Sequence, residues 1–508
     1  MDEQNDQNRN TPRPTRRKSA ASYRRAKARI RDTGSILDAG RSRTGASESA
    51  QTAAKHSRNA KPKRVNPIRQ LINNWFDRVM GAVSDGGLAD QEEEYASGRT
   101  SRDFALNSIG QGAWGVVFPF LTIVVTQLAG VERAGMFSFA FVVANLLYII
   151  GTYGVRTYQV SDLDEYHSFS DYQVNRFATC AAMIVVGFLF CKVLGYEGEM
   201  FTMCMGIFVY KAFDALGEVY EGRLQQVDKL YLGGASLAIR SVAAFALYAI
   251  VLFVTGDLGI AAIAMAIGAA ASFLFITFPL TLLETPRSTP MTIHSVIELF
   301  KACFPVFLAL FLYALIDNMP KFVMQGANLP YDNQLYFNAL YFPAQAILIT
   351  VQLIYRPLLV KMAQAWADES RRHRFDILII GMVVLILAIT VAGVLLMLWI
   401  GIPVMSFMYG FDFGPYTQLA LIMLAAGGVT AVIDFLYQII TILRRQQVVL
   451  NLYLITFGFS LLVLILMTTM MQLEGAVVGY LIVMSILVIL LVREYIVQRL
   501  KFSKPRSR

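Results

Sequence analysis

The sequence predicts an all-α polytopic membrane protein with about twelve transmembrane helices in two pseudo-symmetric six-helix bundles. Of its 508 residues, 56% are hydrophobic and only 16% are charged, and the mean hydropathy is +0.50. A soluble chain of this length carries more charge and fewer long apolar runs. Between Phe104 and Arg499 the apolar runs reach the length that crosses a bilayer, and the loops between them alternate in charge.

The alternating loops predict the orientation of the chain. Arg223, Arg371 and Arg444 lie in loops of one set, whereas the intervening loops contain few basic residues. Because Lys and Arg mark cytoplasmic loops, both termini are expected in the cytoplasm of a multi-pass plasma-membrane protein. The predicted spans are 104–129, 136–155, 177–194, 199–221, 231–255, 259–281, 300–326, 333–360, 375–400, 417–443, 446–470 and 474–498.

The segments outside the two bundles differ from them in composition. Residues 1–103 hold 21 Lys and Arg against 13 Asp and Glu, so most of the basic excess lies there. The first part is expected to be disordered, and it is either attracted to anionic lipid or simply solvated. An apolar helical face then predicts an amphipathic helix that lies on the membrane or docks on a partner protein. The predicted segments are 1–65 (disordered basic tail), 66–83 (amphipathic interfacial helix), 84–103 (acidic linker), 104–281 (first bundle), 282–299 (cytoplasmic linker), 300–498 (second bundle) and 499–508 (basic C-terminal tail).

A weak internal repeat supports the division into two bundles. A shift of 200 residues lays Met136–Val160 on Tyr336–Val360, which are the second predicted spans of the two bundles. Because both bundles start and end on the same side, this is a parallel repeat about an axis along the membrane normal. The matched polar positions are Arg156 with Arg356 and Asn145 with Gln345.

Ionisable residues inside the predicted spans indicate a hydrated cavity, because a charge at the bilayer centre normally faces a cavity or a partner. The fourth span carries Lys211, Asp214, Glu218 and Glu221 at helical spacing. Polar groups on several spans favour a transporter over a membrane anchor. Further polar positions are Asp317, Asn318 and Lys321 around Pro320, and Gln111, Asn145, Gln345, Gln352 and Asp434.

Each of these groups also has a structural interpretation. Lys211 with Asp214, and Asp317 with Lys321, can be neutralised pairs that only stabilise the fold. Arg156 can be a boundary residue that extends its charge to the membrane surface, and the same applies to the matched arginine of the second bundle.

The sequence gives little support for a disulfide, metal, nucleotide or nucleic-acid site. The four cysteines lie in or beside apolar segments, with the spacing of neither a disulfide framework nor a zinc site, and are expected to be buried apolar side chains. The four histidines lie in the tail or in loops, so no metal site is expected in the membrane. The absence of a nucleotide-binding glycine loop argues against direct ATP use, and no nucleic-acid partner is expected.

The best-matching segment runs from Phe104 to Val160, where a first span, a glycine-flanked turn and a second span follow one another. This arrangement resembles the oligosaccharide-lipid flippases of the polysaccharide-exporter branch, which are relatives of the multidrug and toxin extrusion transporters. The resemblance covers residues from about 100 to 500, and the long N-terminal tail departs from it. The segments that carry it are Gly130-Val131-Glu132-Arg133-Ala134-Gly135, Gly154-Val155-Arg156, Phe342-Pro343-Ala344 and Tyr355-Arg356-Pro357-Leu358.

The resemblance implies an alternating-access transporter with a central cleft between the bundles. Its cargo would be an undecaprenyl-pyrophosphate-linked oligosaccharide, turned from the inner to the outer leaflet for lipopolysaccharide or exopolysaccharide assembly. A pyrophosphate needs compensating charge in the membrane, and a desolvated carboxylate exchanges protons more readily near neutral pH. The candidate residues are Lys211, Lys321, Arg156 and Arg356 for the pyrophosphate, Asn145, Gln345 and Gln352 for sugar hydroxyls, and Asp214, Asp317 and Asp434 for coupling protons or sodium.

The resemblance also implies a monomer that is not an enzyme and holds no cofactor apart from a coupling ion. Polysaccharide-assembly proteins are a candidate partner for the N-terminal tail.

Three other interpretations remain open. A drug or cation extruder of the same fold would line its cavity with acidic rather than cationic groups. A membrane glycosyltransferase or polysaccharide polymerase would place catalytic groups on a sizeable outward loop, and the longest such loop, 401–416, offers only Asp412. A peptidoglycan-precursor flippase would have two further spans.

Overall fold

Helices account for most residues of the computed structural model, which describes residues 99–162, 165–288, 290–359, 362, 366, 372–443 and 446–503. These residues all belong to one compact unit, Asp77–Arg508, and none of them is in a β-strand. The prediction of an all-α polytopic protein is therefore confirmed. The predicted tail 1–65, the amphipathic helix 66–83 and most of the linker 84–103 lie outside the described residues.

Fourteen α-helices lie in the described part of the chain, with short π-helical or 3-10 segments next to some of them. In order, they are α1 (Arg99–Ala129), α2 (Val131–Thr152), α3 (Val155–Ser161), α4 (Phe169–Val193), α5 (Gly198–Gln226), α6 (Leu230–Thr255), α7 (Leu258–Ser272), α8 (Phe278–Glu284), α9 (Ile293–Gly326), α10 (Asp332–Tyr355), α11 (Arg372–Leu396), α12 (Ile402–Tyr409), α13 (Thr417–Ile442) and α14 (Gln446–Ser503).

Eleven helical segments are long and apolar enough to cross a membrane, and the last of them is long enough to cross it twice. That segment has 54 residues, about 80 Å of helix, against a hydrocarbon core of about 30 Å. The backbone leaves the helical conformation at Gln472, where φ is 49° and ψ is −123°. Gly475 then lies directly against the backbone of Met467, so the chain reverses here. Divided at this reversal, the described chain has twelve segments of crossing length, in agreement with the prediction of about twelve.

Several predicted boundaries are corrected by local capping. The third crossing begins at Phe169 instead of 177, because Ser168 and Asp171 form a reciprocal capping box. The predicted loop 401–416 contains the helix α12. A proline in its first turn suits a helix start, and Gly410, with a φ of 76°, caps its end. Smaller changes affect α1, which starts at Arg99, α9, which starts at Ile293, and α3, which follows the second crossing.

The helices pack in two sets with the same internal order. In the N-terminal set, α1–α8, the first crossing packs along α6 and the second packs against the fourth, α5. In the C-terminal set, α10–α14, α10 likewise packs against the fourth crossing of its half, α13, and α9 packs along α14. Between the sets, α2 packs against α10. The two helices of the weak sequence repeat therefore face each other.

The two ends of the structure differ in charge. We call the end that carries Glu132, Asp257 and Asp332 the acidic end, and the end that carries Arg223 and Lys229 the basic end. The two helix sets meet closely at the acidic end. There Gly135 of α2 lies against the Tyr331 carbonyl, and the Gln127 amide donates to the Met408 carbonyl at 2.8 Å. Nearer the middle of α1 and α10, the Phe118 ring meets the Phe342 ring edge to face at 5.0 Å.

The first part of α9 packs on the N-terminal set. The backbone N–H of Thr292 and the hydroxyl of Ser295 donate to the Asp171 carboxylate of α4, at 3.0 and 2.8 Å. About three turns further on, the ring of Phe307 stacks on that of Tyr153 with centroids 4.6 Å apart. These contacts hold the basic end of α9 against α2 and α4.

The second part of α9 packs mainly on the C-terminal set, although the Phe322 ring also meets the Phe139 ring of α2 at 6.0 Å. The Tyr313 ring lies 5.6 Å from that of Tyr453, and the Asp317 carboxylate accepts a hydrogen bond of 2.7 Å from Tyr480, both in α14. One continuous helix therefore belongs to both sets, and the change of partners falls between Pro305 and Pro320.

We predict that Gly110→Ala destabilises the protein by about 1–3 kcal/mol, the usual effect of overpacking. A Cβ at this position of α1 would overlap the backbone of Gly234 in α6. Gly112→Ala is the matched control, because a Cβ there meets nothing within 4 Å. Thermal unfolding of both variants in detergent tests this, and equal midpoints would refute the close α1–α6 approach.

Candidate functional site

One face of α5 carries four ionisable residues in the middle of the N-terminal set. Lys211, Asp214, Glu218 and Glu221 recur at intervals of three or four residues, which places them on the same side of the helix. Three of them are almost completely buried, and Glu218 is partly exposed. Because isolated charges are costly at this depth, each must have partners on neighbouring helices.

Arg240 of α6 is the centre of these ion pairs. Its Nε atom lies 3.1 Å from the Asp214 carboxylate, and its other guanidinium arm lies 2.8 Å from Glu221. Guanidinium geometry suits two carboxylates at once, because its five N–H groups point in fixed directions. Arg240 therefore joins two turns of α5 to α6.

Two further arginines complete the network. Arg176 of α4 lies 3.0 Å from Glu218 and donates to the Gly151 carbonyl at 2.9 Å. Arg156 of α3 lies 4.0 Å from Glu221 and donates to Gln225 at 3.2 Å. With Lys211, the N-terminal set therefore places four cationic groups around three carboxylates, so acidic groups do not dominate it.

Lys211 is enclosed rather than presented to a cavity. Its ammonium group is 3.7 Å from Asp214, and the residue is 2% exposed. Trp114 of α1 donates its indole N–H to the same carboxylate. In this conformation the predicted pair Lys211–Asp214 is formed, and the lysine has no open path to a ligand.

The C-terminal set surrounds its carboxylates with neutral donors. Asp317 accepts hydrogen bonds from Tyr341 and Tyr480 at 2.6 and 2.7 Å. Asp434 accepts from Gln352 at 3.1 Å and from the hydroxyl of Tyr355. Among the described residues, no Lys or Arg lies within 4.0 Å of either carboxylate.

Lys321 does not form the ion pair with Asp317 that its spacing suggested. It donates to the Asn318 side chain at 2.9 Å, and its ammonium lies 4.2 Å from the centre of the Tyr341 ring. Its exposure is also 2%. Tyr341 and Tyr480 donate to the Asp317 carboxylate, which Lys321 would otherwise neutralise.

The remaining predicted residues lie on the two helices that face each other. Asn145 of α2 and Gln345 of α10 are half-buried, and neither has a hydrogen-bond partner among the described residues. Arg356 is exposed at the basic end and donates to Gln352 at 2.9 Å. The structure thus brings Gln352, Arg356 and Asp434 together.

Some site residues escape a sequence-based search. Arg176 was missed because the third span was predicted to start at 177, which placed the arginine outside the membrane. Tyr341 and Tyr480 were missed because an intramembrane tyrosine looks like an interface anchor until its carboxylate partner is known. They could have been found by searching the other spans for tyrosines that could donate a hydrogen bond to a buried acid.

A surface cavity of about 620 Å³ opens at the acidic end. Its charged residues are Glu132 and Asp332, and no basic residue lines it, so it does not suit an anion. Among the described residues, no group of three or more His, Cys, Asp or Glu side chains could hold a metal ion.

We predict that Arg240→Gln lowers stability by about 3–5 kcal/mol, because it leaves Asp214 and Glu221 without their shared partner. The matched control is Arg499→Gln, which removes a partly exposed pair with Asp376 and should cost no more than about 1 kcal/mol. Thermal unfolding in detergent measures both. Equal losses would show that the buried pairs contribute no more than surface ones.

Neither a protein-family profile nor a curated protein matches the sequence. Solved structures do share its fold. An inward-facing multidrug-resistance MATE-family transporter of the MOP superfamily aligns with a TM-score of 0.54 at 13% identity, over 80% of this chain and 97% of that one. A MOP-superfamily transporter from Pyrococcus furiosus gives 0.53 at 13% identity, over 80% and 95%. The Vibrio cholerae MATE transporter VcmN in its bent form gives 0.51 at 15% identity, over 80% and 98%. The chain therefore has the fold of the MOP-superfamily transporters.

Proposed function

We propose that this chain moves an undecaprenyl-pyrophosphate-linked oligosaccharide from the inner to the outer leaflet by alternating access, for the assembly of cell-surface polysaccharide. The fold supports a membrane transporter, because the solved proteins that share it are transporters. The choice of an anionic lipid as the cargo rests on two arginines at the basic end, Arg156 and Arg356.

Arg156 and Arg356 occupy matching places in the two helix sets. Arg156 follows α2, Arg356 follows α10, and these two helices pack against each other. The Arg156 side chain is 25% exposed and Arg356 is exposed, whereas Arg176 and Arg240 are buried. Guanidinium groups bind phosphate oxygens in pairs. A pyrophosphate that enters from the basic end between the sets would meet both.

The amides suit the sugar part of the cargo. Asn145 and Gln345 lie deeper on the same two helices, and their side chains are not used by other described residues. Carbohydrate hydroxyls both donate and accept hydrogen bonds, and an amide offers both functions. These residues would bond the oligosaccharide while the head group stays near the arginines.

The two buried lysines differ in the contacts that each would have to break in order to bind the cargo. Lys321 is held by Asn318 and by the face of one nearby tyrosine ring, so a small change at α9 would free its charge for the passing pyrophosphate. Lys211 would have to leave Asp214 and several rings. We therefore retain Lys321 as the cationic residue inside the membrane and place Lys211 second.

Asp317 and Asp434 are the better coupling candidates. Asp214 is already balanced by Lys211 and Arg240, so an arriving proton or sodium ion would have to displace a cation. Asp317 and Asp434 have neutral donors instead, which leaves their charge available to such an ion.

The basic loops favour a cytoplasmic position for the basic end, and the proposal assigns the protein to the plasma membrane. Entry of cargo would then occur at the inner leaflet, where the lipid-linked oligosaccharide is expected. The N-terminal region would extend on the same side, within reach of polysaccharide-assembly proteins, and the transporter would act as a monomer.

An extruder of organic cations is the second candidate, and the same two carboxylates favour it. Within the described part of the chain neither acid has a Lys or Arg within 4.0 Å, and nearby tyrosine rings would suit a positively charged drug. This alternative predicts that Asp317 and Asp434 matter for cargo binding and that Arg156 and Arg356 do not.

We predict that Arg156→Ala and Arg356→Ala each lower transport about 10-fold, because each removes a charge-assisted hydrogen bond worth about 1.5–3 kcal/mol. Purified protein in proteoliposomes with a fluorescent undecaprenyl-pyrophosphate oligosaccharide on one leaflet gives the rate. In cells that lack the native gene, the variants should accumulate this lipid on the inner leaflet and lose surface polysaccharide.

Arg499→Ala is the matched control, because this arginine also lies at the basic end but pairs with Asp376. It should transport normally. Full transport by the Arg156→Ala/Arg356→Ala double variant would contradict the proposal, and efflux of organic cations by the wild type would establish the extruder.

We predict that Asp317→Asn and Asp434→Asn abolish uphill transport but keep downhill exchange. Each amide can still bond to the present partners, two tyrosines at 317 and Tyr355 with Gln352 at 434, yet it carries no charge for a coupling ion. Transport is measured with and without an imposed proton or sodium gradient. A variant pair that still responds fully to both gradients would rule out coupling at these residues.

A further inference from the structure

The ammonium group of Lys211 lies inside a cage of four aromatic rings. Its distances to the ring centres are 4.6 Å for Trp114, 5.1 Å for Phe141, 5.2 Å for Tyr210 and 5.3 Å for Tyr148. The rings come from three helices, α1, α2 and α5. A cation within about 6 Å of such a ring is attracted to the negative face of its π-system, more strongly when it is desolvated.

A carboxylate closes the cage. Asp214 lies 3.7 Å from the ammonium, and it is itself fixed by the indole N–H of Trp114 and by Arg240. Aromatic cages are the arrangement that proteins use to bind choline and methyl-lysine groups, and Asp214 adds a negative charge to this one. Here the ligand is supplied by the chain itself.

We infer that the N-terminal set contains a binding site for small alkylammonium ions that Lys211 fills as an internal ligand. The lysine keeps the site closed to organic cations from solution, so it acts as a specificity-determining residue. The inference concerns binding only and does not depend on the identity of the transported cargo. It explains why a lysine is buried among rings rather than exposed to a cavity.

The second buried lysine, Lys321, has fewer aromatic neighbours and serves as the comparison for the cage. Lys321 lies near two rings, Tyr341 at 4.2 Å and Phe337 at 5.7 Å, and its hydrogen-bond partner is the neutral Asn318. No carboxylate lies within 4.0 Å of it among the described residues. Its removal should leave no comparable site.

The test is binding of propylammonium to purified Lys211→Ala in detergent, because this ion corresponds to the side-chain atoms that the substitution removes. The thermal midpoint of Lys211→Ala should rise by about 2–4 °C and saturate once the ion exceeds its Kd several-fold. Propan-1-ol, which has the same carbon chain and no charge, should have no effect. Wild type and Lys321→Ala should not respond to propylammonium.

Two further variants examine the site itself. Lys211→Met keeps the cage filled with a neutral chain and should not bind propylammonium, and Trp114→Leu added to Lys211→Ala should abolish the response. An equal response of Lys321→Ala or of wild type, or no response of Lys211→Ala, would overturn the inference.

If Lys211→Ala is too unstable to purify alone, it is purified with propylammonium present throughout. Folded protein that is lost when the ion is dialysed away supports the site. Failure to recover folded protein with the ion, while Lys211→Met purifies normally, overturns it. Cargo transport enters neither measurement, so this result is separate from the outcome of the transport assays.

Discussion

The double ion pair of Arg240 with Asp214 and Glu221 is the constraint on which the N-terminal set depends. Each charge has left water for a region of low dielectric, and the desolvation penalty is several kcal/mol per ion. Only well-placed partners offset it, so the relative position of α5 and α6 is tightly limited. Arg176 and Arg156 extend the same requirement to α4 and α3. Four helices are thus held by charge where apolar packing alone would let them slide.

The C-terminal set follows a different rule despite its similar packing. Its carboxylates bond to tyrosine hydroxyls and one amide, which are neutral and can exchange partners at smaller cost than ions can. Two halves with matching helix order can therefore differ in rigidity. A fixed half and an adaptable half fit a protein in which one half moves relative to the other, and the neutral surroundings of Asp317 and Asp434 belong to the adaptable one.

Much of this architecture could be predicted from sequence because apolar length and helical spacing are local properties. The twelve crossings follow from segment length, and the polar face of α5 follows from the intervals between Lys211 and Glu221. The partners of that face could not be predicted, since Arg240 and Arg176 reach it through tertiary packing. The helical start at Phe169 was missed because a capping box outweighed hydropathy. Likewise, no sequence pattern distinguishes a lysine in an aromatic cage from one in a cavity.

The division of α9 between the two sets has a mechanical consequence. The covalent link between the two sets, just before Ile293, is not where the packing changes. Asp171 holds the start of α9, and Tyr480 holds its later part. A rotation of one set against the other would bend α9 most between these two attachments, over about 15 residues of helix, roughly 22 Å. Pro305 and Pro320 flank this stretch, and each lacks the N–H that would stiffen it. The bending stiffness of α9 therefore limits how far the two sets can turn relative to each other.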